Sequence, residues 1–225
     1  MAYRRSQLME ERLANNRDRI LMAARKLVAE GGFREAQIAA VAALAGISTG
    51  MIYRYFPSKA DLFVEVLEAA VDEEIGILNE IAHGPGPAGA RLAQAVTCFV
   101  RRALRGPNLA YAFVFEPVDP EVETARLRCR KKFGDVFKAI LLEGIERQEF
   151  PDQDVNASAA CIVGAFTEAL VGPIGPTTRN MRDKEWLVEC IRNFCVRAVG
   201  GSSSTPYQEE SERAISGQEA EIFQH

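Results

Sequence analysis

The chain has 225 residues, 48% hydrophobic and 26% charged, the balance of a soluble globular protein long enough to bury a substantial core. Its charge is uneven: residues 1–60 carry ten Lys and Arg against five Asp and Glu, the remainder seventeen against twenty-six. A basic N-terminal quarter on an acidic body points to a polyanion met by the first part alone. The apolar stretch CIVGAFTEALVG is interrupted by Glu168, so no run is expected to reach the roughly 18 residues of a membrane span.

Apolar spacing is helical almost throughout. Ile20, Ala24, Leu27 and Val28 share one face of a first helix, which Gly31-Gly32 should end. The basic N-terminus has no apolar core behind it, so it does not read as a secretory signal. Short helices are expected at 37–45 and 48–56, and a longer one at 58–81. The breaker cluster HGPGPAG (83–89) then divides the chain. Leu92, Val96, Val100 and Ala103 mark a helix stopped by RGPN. YAFVFEPVDP (111–120) alternates like a strand, but a lone strand has nothing to pair with, so a short helix is favoured. A long helix follows to FPDQD (150–154), then two more at about 154–171 and 182–199, separated by GPIGPTT. The chain is therefore read as all-α with about nine helices. The boundaries expected are an arm and basic helical unit at 1–60, a connecting helix at 61–82, a larger unit at 90–199 and a polar, disordered tail at 200–225.

Enzymatic chemistry finds little material. His83 and His225 are the only histidines, one in a breaker loop and one at the terminus, so neither acid–base chemistry nor a metal site is expected. There is no GK[ST] phosphate loop and no G-x-S-x-G. The five cysteines are scattered and odd in number, without a CxxC pair, as in reduced core thiols of a cytoplasmic protein.

Residues 38–56 have the spacing of a helix-turn-helix. Ala42 is small where two helices cross, and Gly46 suits a left-handed turn. Val41, Ala45, Ile47 and Ile52 form an apolar seam, and Ser48 can cap the second helix, whose first turn suits a phosphate. At about 100° per residue, Ile52 and Phe56 point to the core and Arg54 points away, near Gly50 and Met51. Tyr53 and Tyr55 fall on the two shoulders, where a helix in a major groove meets phosphates. Pro57 stops this helix, and Ser58 with Asp61 forms a capping box for the next. Lys59 in its first turn opposes the helix dipole unless a phosphate is its partner.

GF (32–33) followed by IAAVAALAGISTGMIYRYFPSKADLF (38–63) resembles the DNA-binding domain of TetR-family regulators, over about residues 15–65. The resemblance implies a three-helix N-terminal domain on a larger helical effector and dimerisation domain. It implies base-facing roles for Thr49, Gly50 and Met51, and phosphate contacts for Tyr53, Tyr55 and Lys59. Ser48 and Arg54 complete the expected DNA-binding set with Gln37, because the family's usual Thr or Ser at the start of the second helix is absent here (Ala36, Gln37, Ala39, Ala40). Arg4, Arg5, Arg12, Arg17 and Arg19 are candidates to compensate from the N-terminal arm.

Effector-pocket candidates are Phe99, Tyr111, Phe115, Phe133, Phe137 and Phe166. The last two helices, with small Ala157, Ala160, Gly164, Ala165 and Ala169, suit a four-helix bundle between two chains. Ile162, Phe166, Leu187, Ile191 and Phe194 are the interface candidates. In the RLRCRKK run (126–132) the charges point all around a helix, so most should be solvated, with one or two available to an anionic effector. The expected function is a cytoplasmic homodimeric repressor that binds a palindromic double-stranded DNA operator and is released by a small-molecule effector, without cofactor or membrane. The alternative is a small-molecule-sensing helical module whose DNA binding is weak or lost.

Overall fold

A computed structural model describes residues 2–175 and 183–200, with side chains from Asn15 onward. Most of the tail expected at 200–225, and residues 176–182 of the last linker, lie outside the described residues. The described residues form nine helices and no strand: α1 (Ala2–Glu35), α2 (Ile38–Ala45), α3 (Thr49–Tyr55), α4 (Lys59–Ala82), α5 (Ala88–Arg105), α6 (Pro107–Val114), α7 (Pro120–Glu146), α8 (Val155–Ile174) and α9 (Lys184–Ala198).

Local chemistry sets most boundaries. Gly32 breaks α1 with φ 80° and ψ −179°, a backbone state that side chains disfavour. Ser58 and Asp61 close the expected capping box on α4 through reciprocal hydrogen bonds of 3.0 Å. Proline opens both α6 and α7 at the first helical position, where its missing N–H costs nothing. RGPN therefore starts one helix as it stops another, and the aromatic segment after it is helical. One boundary differs from expectation: α8 runs through Pro173 to Ile174 rather than ending at 171.

Two apolar cores share the long helices. The first joins Ile20, Val28, Val41, Ile52, Phe56 and Leu62 of α1 to α4 and continues into Val122 and Cys129 of α7. The second joins Leu92, Val96, Phe137, Ile140, Phe166 and Ile191 of α5 and α7 to α9. Helix α4 carries Leu67 in one core and Leu78 in the other, so it links them.

Ion pairs clasp α4 from three sides: Glu65 and Glu73 meet Arg17 and Arg25 of α1, Glu68 and Asp72 meet Arg128 and Lys132 of α7, and Glu74 meets Arg102 of α5. The 126–132 run is mostly solvated, as its spacing implies: Arg128, Arg130 and Lys131 are exposed and Lys132 is half-buried, and Arg126 is the exception. Arg126 is buried, and Arg128 and Lys132 are paired; Arg130 and Lys131 remain without a carboxylate partner among the described residues.

Helix α8 has a mean hydropathy of 1.6 over an 18-residue window, enough by length and composition to cross a membrane, although Glu168 lies in it. Only a third of that window is buried within the subunit, so much apolar surface stays outside the subunit's own core.

Candidate nucleic-acid interface and effector cavity

Helices α2 and α3 meet at 97°, the geometry of a helix-turn-helix. Gly46 makes the turn in the left-handed region (φ 67°, ψ 38°), and the Ile47 N–H bonds back to the Ala42 carbonyl at 3.0 Å. Val41, Ala42, Ala45 and Ile52 are buried at the crossing. Ser48 Oγ accepts from the Met51 N–H at 3.2 Å and fixes the start of α3. Beyond that cap, Thr49, Gly50, Tyr53 and Arg54 are exposed and Met51 is half-buried. A Cβ placed on Gly50 would meet nothing within 4 Å, so the helix surface there is bare backbone facing solvent.

Helix α1 braces this unit. The Arg19 guanidinium donates to the Ala45 carbonyl at the C-terminus of α2, while Arg17 lies 5.3 Å from the Phe56 ring centroid and pairs with Glu65.

A cavity of about 290 Å³ lies between α4, α5, α6, α7 and α8. Its walls are apolar (Leu67, Val71, Phe99, Leu109, Phe113, Phe133), and Arg102, Arg105, Arg126 and Arg130 also line it. Burial pushes the Cys129 thiol in the wall up to about 11, so it is a neutral thiol at pH 7. Burial lowers the Arg126 pKa, with nearby Glu123 opposing the shift. The Arg126 guanidinium donates to three backbone carbonyls: Nε to Phe113 at 2.8 Å, Nη2 to Glu116 at 2.7 Å and to Ala112 at 3.2 Å. It thereby holds the end of α6.

Glu116, just beyond α6, connects the two regions. Its carboxylate accepts from the N–H groups of Phe33 (2.8 Å) and Arg34 (3.1 Å) at the break in α1. A Cβ on Gly32 would approach Glu116 Oε2 to 2.5 Å, so glycine is needed there both for its φ and for space. The Phe33 ring packs between Phe63 and Phe113, at centroid distances of 5.2 and 5.7 Å.

Residues 20–66 match the family described as bacterial regulatory proteins, tetR family. The HTH-type transcriptional repressor KstR of Rhodococcus jostii (strain RHA1) is 43% identical over 172 residues, covering 73% of this chain and 77% of that protein. The chain belongs to the TetR family. It is thus a DNA-binding transcriptional regulator of the ligand-responsive repressor type. The fatty acid metabolism regulator protein of Bacillus subtilis (strain 168) is 25% identical over 182 residues, 77% of this chain and 88% of that protein. The fold is shared with the crystal structure of FadR from Bacillus subtilis in complex with stearoyl-CoA. That match has a TM-score of 0.66 at 24% identity, over 82% of this chain and 98% of that one.

Within this TetR-family frame the expected site residues separate. Ser48, Thr49, Gly50, Met51, Tyr53 and Arg54 lie together on or beside α3. The two tyrosines are not equivalent. Tyr53 is 49% exposed, whereas Tyr55 is half-buried and its hydroxyl accepts from Asn16 Nδ2 at 3.4 Å. Lys59 is half-buried with its ammonium 5.3 Å from the Phe63 ring centroid. Gln37 occupies the N-cap position of α2 without capping it; its amide donates to the Arg34 carbonyl at 2.6 Å. Arg17 and Arg19 are exposed but bonded within the domain, to Glu65 and to the Ala45 carbonyl, and the side chains of Arg4, Arg5 and Arg12 are outside the described residues.

Of the six aromatic candidates, Phe99 and Phe133 line the cavity. Phe137 and Phe166 are fully buried behind it, Phe166 against the Phe99 ring at 4.5 Å. Tyr111 faces a separate surface cleft with Glu116 and Lys59, and Phe115 packs beside Tyr111 at 6.2 Å. Phe113, in the same aromatic segment, lines the cavity but was outside the candidate set. Ile162, Phe166 and Ile191 are buried within their own subunit. Leu187 is half-buried against the same core. Phe194 is 56% exposed, and Trp186, Cys161 and Cys190 join it on the outer faces of α8 and α9.

Proposed function

We propose that two copies of the chain join through the outer faces of α8 and α9 and place their two α3 helices in successive major grooves of a palindromic operator. The observation that carries this reading is the right-angled α2–α3 pair with Thr49, Gly50, Tyr53 and Arg54 exposed beyond a serine cap. In it, Thr49, Gly50, Met51 and Arg54 face the bases. Tyr53 and the start of α3 position the helix on phosphates, and Lys59 joins them by swinging off the Phe63 ring. Tyr55 chiefly braces α3 against α1. Few of these groups read bases strongly, so part of the specificity comes from DNA shape. The unpartnered apolar surface of α8, with Ala157, Cys161 and Gly164, supports a bundle of four helices between the copies.

The effector occupies the cavity between α4 and α8 and favours a state in which the two reading heads are wrongly spaced, so DNA and effector bind antagonistically. An apolar wall that also carries Arg105 and Arg130 suits an apolar molecule with an acidic group. The likeness to a fatty acid metabolism regulator supports an acyl compound. Two elements carry the change to the DNA-binding unit: α4, which runs through both cores, and α6, whose end holds α1 through Glu116. The protein acts in the cytoplasm, with residues 1–60 as the DNA-binding unit and 90–199 as the effector and dimer unit.

A gel-shift with the protein's own upstream region tests the reading head. The Tyr53→Ala, Lys59→Ala double variant should lose roughly tenfold or more in affinity and have a shallower salt dependence. Parent-like binding would remove α3 from the interface.

A further inference from the structure

A second depression adjoins the effector cavity. A groove of about 430 Å³ runs between α7 and α8 and shares Arg130, Val163 and Thr167 with the cavity wall. Its shape follows from sequence. Gly134 on α7 and Ala160 and Gly164 on α8 face each other where larger side chains would close the gap, and a Cβ on either glycine would meet nothing within 4 Å. Its charge is one-sided. Among the described residues, Arg130, Lys131 and Lys138 line it against a single acid, Asp135, and Lys138 is bonded only to the neutral Asn156 side chain, at 2.8 Å. On the opposite side of the cavity, by contrast, Arg102 and Arg25 are matched by Glu74 and Glu73.

Building on the cavity as the effector site, we infer that the α7–α8 groove is the head-group subsite of the same ligand. It takes the polyphosphorylated end of an amphiphile whose apolar tail lies in the cavity. Three cations around one acid suit an extended polyanion better than a lone carboxylate, and Arg130 stands at the junction of tail and head. The cavity is near the lower end of the range of about 300–1,000 Å³ for ligand pockets, which matches a medium-length tail. An acyl-CoA has this chemistry. The groove shares Ala160 and Gly164 with the outer surface of α8, so the head lies along the rim of the proposed dimer face, where it bears on subunit spacing directly.

Isothermal titration calorimetry of the full chain with lauroyl-CoA, laurate and free CoA tests this, at about 50 and 200 mM salt. Lauroyl-CoA should bind the parent protein roughly tenfold more tightly than laurate and weaken with salt. The Lys131→Ala, Lys138→Ala variant, whose changes lie on the surface, should lose about 5–10-fold for lauroyl-CoA and bind laurate as the parent does. A variant that binds lauroyl-CoA as the parent does would overturn the subsite. So would a parent protein that prefers laurate or binds neither compound. Ala110→Phe, which fills the cavity from α6, separates the two readings when its melting curve stays cooperative. Loss of lauroyl-CoA binding in that variant alone keeps the cavity and removes the groove. Loss in the lysine variant alone removes the cavity as the tail site and, with it, the single spanning ligand.

Discussion

Replacing Arg126 with methionine should destabilise the protein far more than the same change at Arg128, two residues away. Arg126 is 6% exposed and donates to the carbonyls of Ala112, Phe113 and Glu116. Two of these belong to the last turn of α6, where helix carbonyls have no partner of their own and the dipole is negative. Methionine keeps the buried stem but leaves three carbonyls unpaired, at about 1–3 kcal/mol for each that stays dry. Relief of the guanidinium's desolvation offsets part of that, and Glu123, its ion-pair partner, is half exposed and rehydrates readily. A net loss of about 2–4 kcal/mol is expected. Arg128, by contrast, is 55% exposed and pairs with Glu68 at 2.9 Å at the surface, which is worth at most about 1 kcal/mol. Urea denaturation at one fixed protein concentration compares the variants without the mass-action effect of association. Arg126→Lys should not rescue, because one ammonium cannot span three carbonyls. An Arg126→Met variant within about 1 kcal/mol of the parent would mean that desolvation cancels the hydrogen bonds and that the α6 end is held otherwise.

Glu116→Ala should speed amide hydrogen exchange at Phe33 and Arg34 by roughly tenfold, with Glu116→Gln intermediate; unchanged exchange would remove the α6–α1 link. Gly46→Ala should cost about 1–2 kcal/mol in thermal or urea melts, since its φ of 67° disfavours a side chain, whereas Gly46→Asn should cost less. Cys129 and Cys195 have thiols pushed up by burial to about 11 and about 12, so their thiolates are scarce below those values. At pH 8 they should resist iodoacetamide in the folded protein. Cys161 and Cys190 are exposed in the subunit and should react in a monomeric Phe194→Glu variant but slowly in the parent. Equal rates in both forms would place the dimer face elsewhere.

The helix-turn-helix was legible because its determinants are local. The turn glycine, the serine cap, the small residue at the crossing and the capping box all lie within 26 consecutive residues, 38–63. What the sequence hid depends on partners far along the chain. Tyr55 looks like a twin of Tyr53 on a helical wheel, but Asn16, 39 residues earlier, claims its hydroxyl. Arg126 looks like one charge among five, but the carbonyls that bury it come from the preceding helix. Periodicity finds the apolar faces of α8 and α9 without saying what covers them. Ile162, Ile191 and Phe194 therefore looked alike as interface, while only Phe194 of the three is exposed, together with Trp186. In the aromatic segment, Phe113 and Phe115 are equivalent by pattern; the angle of a short helix decides that only Phe113 reaches the cavity.

The most direct test of the central claim, that α3 reads an operator, is binding-site selection from random duplex DNA by the parent and by a Thr49→Ala, Met51→Ala variant. The parent should enrich a palindrome whose half-sites lie about one helical turn, or a multiple of it, apart. The variant should keep the spacing but lose base preference within each half-site. Enrichment of the same motif by both proteins, or of none by the parent, would contradict the account.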